Sequence, residues 1–160
     1  MKVSALKVVM INSNPSRMNL ELYRKLEKAG WKVQQISKDD FTAIKAGAPD
    51  LLVTFNLEGF QNSTLTDCVS YNLLDCKQVH VILNDNLPNE RFLQKQLSIS
   101  MFFYCTVKRY YEQLKNAYPD IPYLKLLEGW QRGTEESAWK HNAALLAAAV
   151  EDVARVCGLS

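Results

Sequence analysis

Three of the most aliphatic segments of this chain close on asparagine: Leu6–Asn12 (LKVVMIN), Asp50–Asn56 (DLLVTFN) and Lys77–Asn84 (KQVHVILN). Read as strands of an open α/β sheet, they put Asn12, Asn56 and Asn84 at the carboxyl edge, where such sheets bind ligands. A carboxamide donates and accepts hydrogen bonds, but at neutral pH it neither shuttles a proton nor accepts a phosphoryl group. The acids nearest that edge are Glu58 and Asp85. Asn84-Asp85-Asn86 has the chemistry to hold a sugar hydroxyl, although turn formation explains the same residue types. Trp130, in the polar stretch EGWQRGTEES, could stack on a sugar or a base, or simply cap the core. Asn12, Asn56, Glu58, Asn84, Asp85 and Trp130 are therefore the candidate ligand-binding residues, and no catalytic residue is assigned.

Other chemistries lack their residues. The first strand is followed by Asn12-Ser13-Asn14-Pro15-Ser16, without the glycine loop that cradles a dinucleotide or a triphosphate. Ser13 and Ser16 could meet an anion at a helix start, but capping is the plainer role. No G-x-S-x-G elbow presents a nucleophilic serine. Cys105 ends an apolar segment, where a buried thiol behaves as a small hydrophobe unless a neighbour such as Lys108 activates it. His80 lies within an apolar strand and reads as a core histidine or one that reaches a backbone carbonyl. The four cysteines form no C-x-x-C pair and there are two histidines, so neither a structural zinc nor another cofactor is expected.

Those residues must be positioned by alternating strands and helices. Leu6–Asn12 has no polar alternation, as in a strand covered on both faces. Met18, Leu22 and Leu26 make a helical stripe over Arg17–Ala29, with Gly30 as the stop. Trp31–Ile36 alternates and reads as a strand near an edge. Asp39 or Asp40 can cap a short helix to Lys45, and Ser63 or Thr64 a helix to Leu74; a further helix is expected over Asn89–Leu97. Strands follow at Asp50–Asn56, Lys77–Asn84, Ile99–Cys105 and Ile121–Leu127, the last weakened by Pro122, which suits the start of a strand or an edge. Helices follow at Val107–Tyr118 and Ala138–Val156. The pattern predicts one domain, a three-layer α/β/α sandwich around a mainly parallel sheet of five or six strands, Rossmann-like or flavodoxin-like.

The 160 residues suit one such domain, which buries roughly 70% of its unfolded surface without needing a staple. A net charge of +2, with the charges interspersed, argues against a dedicated nucleic-acid binder. No apolar run approaches the roughly 18 residues of a membrane span, and the N-terminus reads as a strand rather than a signal peptide. Unpaired cysteines fit a reducing, cytoplasmic setting. The small-residue run Ala143–Ala149 suits close helix packing first and a homodimer face second.

In Pro49–Phe60 (PDLLVTFNLEGF), Val79–Pro88 (VHVILNDNLP), Ser100–Cys105 with Lys108–Leu114, and Tyr118–Gly129 (YPDIPYLKLLEG), the chain resembles a known family. It is similar to the N-terminal, acceptor-side half of bacterial GT-B glycosyltransferases, in particular a group with a degenerate first domain found in spore-coat and cell-surface sugar loci. The resemblance covers about Leu6 to Gly133. Such enzymes bind the nucleotide-sugar donor mainly in a second Rossmann-like domain, and after Gly133 there is room here for one helix. The resemblance implies a stand-alone, accessory or ligand-binding half that does not transfer sugar by itself, with a sugar, a nucleotide sugar or a glycosyltransferase as its partner. Pro49–Asn56 is also similar to the strand before the phospho-acceptor of response-regulator receivers. Receivers need acids where this chain has Asn12, Asn14 and Asn56, so that likeness implies a pseudo-receiver interaction module. A small-molecule enzyme using Asp85 or Cys105 is the third reading.

Overall fold

The computed structural model describes residues 6–11, 16–36, 46, 48–55, 76–83, 101–121 and 123–159. Among them the order is β1 (Lys7–Ile11), α1 (Arg17–Lys28), β2 (Lys32–Ile36), β3 (Leu51–Phe55), β4 (Lys77–Ile82), β5 (Met101–Cys105), α2 (Lys108–Ala117), β6 (Leu124–Leu126) and α3 (Glu136–Val156). The helices expected over 39–45, 63–74 and 89–97 lie outside the described residues.

All six strands are parallel, in the order β2-β1-β3-β4-β5-β6. The α/β sandwich expected from the sequence is the fold. The alternating segment is the edge strand β2, and the proline-weakened one is the other edge, cut to three residues. The chain leaves β1 for β2 and then crosses back to β3, so the topological switch lies between β1 and β3. In such sheets the ligand crevice opens there, beyond the carboxyl ends.

Both faces are covered, which is why the central strands are predominantly apolar without alternation. Val8, Met10, Leu51, Val53, Phe55, Val79, Val81, Phe102 and Tyr104 face α1 and α3. Val9, Ile11, Leu52, Ile82, Phe103 and Cys105 face the other way, where Leu114 of α2 joins them. Leu22 and Leu26 are fully buried from α1; each such side chain contributes about 1.5–3 kcal/mol. Ala143, Leu146, Ala147, Val150, Val153 and Ala154 make the matching stripe on α3.

Helix ends are specified locally. The Ser16 hydroxyl accepts from Asn19 N at 3.2 Å and caps α1. At the other end Gly30 N donates to Glu27 O and Trp31 N to Leu26 O, a Schellman closure that needs the positive φ of Gly30. α3 closes the same way, through Gly158 N to Arg155 O and Leu159 N to Ala154 O. α3 begins at Glu136, two residues before the expected Ala138. A carboxylate is favoured in the first turn by the helix dipole, and Glu136 also pairs with Lys140 at 2.7 Å, one turn on.

Candidate functional site

The segment after β6 is held by α3. Leu127 N donates to Cys105 O at 2.8 Å, extending the β5–β6 ladder past the strand. Gly129 O then accepts from His141 Nε2 at 2.8 Å, so that nitrogen carries the hydrogen. Asn142 follows: its Oδ1 accepts from Gln131 N at 2.9 Å and its Nδ2 donates to Gln131 O at 2.8 Å. One side-chain amide thus pairs with both backbone groups of Gln131, as a neighbouring strand would. Asn142 is buried, and with both amide atoms satisfied it carries no desolvation debt.

This clamp shapes one wall of an open cleft of about 610 Å³, within the size range of ligand pockets. Residues 130–134, the start of α1 (Ser16, Arg17, Met18), and Trp139 and Asn142 of α3 line the cleft. The start of α1 follows β1, a strand of the topological switch, and the loop follows β6, so both belong to the carboxyl side of the sheet. Trp130 and Trp139 are half-buried; Arg17 and Arg132 are exposed. Trp130 also packs against the α1/α3-side core, so its two expected roles, core cap and cleft aromatic, coincide.

Among the described residues the cleft lining holds two arginines and no carboxylate, thiol or imidazole. Glu136 stands just outside it; Lys140 and then Arg17 hold its carboxyl below the usual range, so its charge is largely matched by Lys140. Lys140 also lies 5.7 Å from the Trp139 ring centroid. In the first turn of α1, Asn19 is buried on the stripe that continues through Leu22 and Leu26. Among the described residues its Oδ1 is a buried oxygen without a hydrogen-bond partner.

Of the sequence candidates, Trp130 is in the cleft. Asn12, Asn56, Glu58, Asn84 and Asp85 lie outside the described residues; the strands before the three asparagines, β1, β3 and β4, are consecutive neighbours in the sheet. Cys105 is fully buried, and burial pushes its thiol up to about 12, so it is not a nucleophile at neutral pH. His80 is a core histidine, as expected. Its Nδ1 meets Thr54 Oγ1 at 2.6 Å and its Nε2 meets Gln78 Oε1 at 3.1 Å. With Gln78 Oε1 accepting, Nε2 carries the hydrogen and Nδ1 accepts from the threonine hydroxyl. Desolvation pushes His80 down to about 3, so it is neutral at physiological pH.

Arg17, Trp139, His141 and Asn142 did not stand out in the sequence. Asn142 left a trace there: it is the amide on an otherwise apolar stripe of α3, one turn after Ala138 and one before Leu146. Among the described residues no group of three or more His, Cys, Asp or Glu is placed to hold a metal ion, and no helix is long and apolar enough to cross a membrane. No family model matches the chain, and no curated protein or solved structure matches it significantly.

Proposed function

We propose that this chain is a ligand-binding α/β domain of the glycosyltransferase-half type, taking a sugar-containing ligand in the Trp130 cleft and not transferring sugar by itself. The observation that carries the reading is the cleft's composition: indole rings, hydroxyl and amide groups, and guanidinium groups, on the carboxyl side of the sheet. Indoles pack against sugar rings, and the hydroxyls of Ser16 and Thr134 and the Gln131 amide suit a polyol. General acid–base catalysis needs a proton carrier within reach, and the described lining has none tuned near neutrality. The GT-B likeness of Pro49–Phe60 and Tyr118–Gly129 agrees with a sugar as the ligand's core.

Thermal unfolding across a panel of monosaccharides, sugar phosphates and nucleotide sugars tests this. A ligand at a hundred times its Kd adds about 2.7 kcal/mol, which raises Tm by roughly 5–10 °C for a chain of this size. The rise is expected in the wild type and absent in Trp130→Ala. A panel that leaves the wild-type Tm unmoved sinks the reading. A second reading, the pseudo-receiver module, is favoured by one observation: the first five strands follow the order 2-1-3-4-5 of flavodoxin-like folds. It expects no small-molecule shift and a dimer that forms with rising concentration.

A further inference from the structure

Resting on the sugar-binding reading, we infer that the cleft selects an acidic sugar, a ring carrying a phosphate or a carboxylate, over its neutral counterpart. Arg17 and Arg132 line one cleft, 115 residues apart in the chain, and among the described residues its lining holds no carboxylate. Glu136, whose carboxylate also feels Arg17, forms its short contact with Lys140. Two arginines lining one cleft bring like charge to it, and an oxyanion bound there offsets that charge while accepting charge-assisted hydrogen bonds. Arg17 is also the first residue of α1, so the partial positive charge of the helix start acts in the same direction.

The second half of the recognition is the ring. Trp130 is fixed by packing on the core and by the Asn142 clamp on the adjacent Gln131 backbone. A rigid, half-buried indole offers a flat apolar surface at little entropic cost. Inorganic phosphate would meet the guanidinium groups alone; a neutral hexose would meet the indole and hydroxyls alone. A sugar bearing an oxyanion meets both. Whether the anion is a phosphate or a carboxylate is a question of source, because a guanidinium fork matches either.

Isothermal titration of the full chain with four probes decides it: glucose, glucose 1-phosphate, glucuronate and inorganic phosphate. At least one of the two acidic sugars should bind about tenfold or more tightly than glucose and than inorganic phosphate, the scale of one charge-assisted contact. The tighter of the two identifies the source of the anion. Raising the salt from 50 to 500 mM should narrow the gap to glucose, because exposed charges are screened. Arg132→Gln, at an exposed position, should remove most of the preference for the acidic sugar. Equal affinity for glucose and both acidic sugars overturns the inference and leaves the sugar-binding reading standing. Phosphate binding as tightly as the acidic sugars overturns the ring requirement. No binding by any probe, with no response in the broader thermal panel, overturns both readings.

Discussion

The two faces of the sheet solve the same problem, covering an all-parallel sheet, with opposite treatments of polarity. On the α1/α3 side the cluster is built from aliphatic and phenyl side chains on β1, β3 and β4, and tyrosine hydroxyls enter at Tyr104 of β5 and Tyr123 before β6. There Tyr104 Oη lies 3.3 Å from Tyr123 Oη, Tyr123 donates to Asp152 Oδ2 at 2.9 Å, and Lys125 and Arg155 stand near the same carboxylate. On the opposite side, polarity lies in the middle of the sheet. Thr54 and His80 are register partners on β3 and β4, Gln78 is two residues before His80 on the same face, and Phe103, the next partner across, has its ring centroid 5.2 Å from the imidazole. The lesson concerns charge. At the rim, where Asp152 is about a third exposed, ionised groups are tolerated. In the middle, Thr54, Gln78 and His80 are at most 2% exposed, and the network survives by being neutral.

The largest effect should come from breaking the apolar side. Leu146→Ala removes a fully buried side chain from α3 where it meets the sheet and α1. A loss of about 2–5 kcal/mol is expected in urea unfolding at pH 7. A loss below about 1 kcal/mol would mean that α3 packs on the sheet less tightly than this geometry requires.

The next effect separates the faces by pH. Folding lowers His80 from its ordinary value to about 3, so between these values the unfolded chain binds the extra proton. Stability is therefore full above about pH 6.5 and falls as the pH drops toward 3. From pH 7 to pH 5 the loss from this group is about 2 kcal/mol. Urea midpoints measured across that window should slope accordingly in the wild type and flatten in His80→Phe, where the apolar ring takes the place beside Phe103. An equal slope in both proteins would show that the imidazole reaches water.

How much of this was readable in advance follows from how local each feature is. β1, β3 and β4 were legible because a strand covered on both faces shows no regular polar alternation, and Thr54, Gln78 and His80 are the buried polar exceptions on β3 and β4. α1 was legible because Ser16 and Gly30 mark its ends, and β6, which begins at Leu124, was legible as a strand with Pro122 at its start or as an edge. The cleft was not. Trp130 announced itself as an aromatic in a polar loop, but Arg17 and Trp139 meet only because α3 lies beside α1, and nothing in either helix names its neighbour. Asn142 looked like one polar residue in an alanine-rich helix, and its work is to pair with backbone eleven residues away. The asparagines that close the first, third and fourth strand segments lie outside the described residues, so the binding question moves from them to the wall after β6.

The smallest effect should come from the rim. Tyr123→Phe removes one hydroxyl from a cluster whose other members keep partners: Tyr104 Oη still reaches Ala149 O at 3.4 Å, and Asp152 keeps Lys125 at 3.6 Å and Arg155 at 3.5 Å. Nothing is left buried and bare, so the cost should be about 0.5–1 kcal/mol. The informative readout is the Asp152 carboxyl. It is held below the usual carboxylate range first by the Tyr123 hydrogen bond, against the opposing effect of burial, and then by Lys125 and Arg155. The stability it contributes is present above the ordinary carboxylate pKa and is lost as the pH falls through the lowered one. In Tyr123→Phe its titration, followed by carboxyl NMR, should move up toward the ordinary value, and the acid limb of stability attributable to Asp152 should shrink with it. An unmoved titration would mean that the two cations alone hold the carboxylate. The rim would then depend on charge rather than on the tyrosine hydroxyl, and its contrast with the neutral network around His80 would be sharper still.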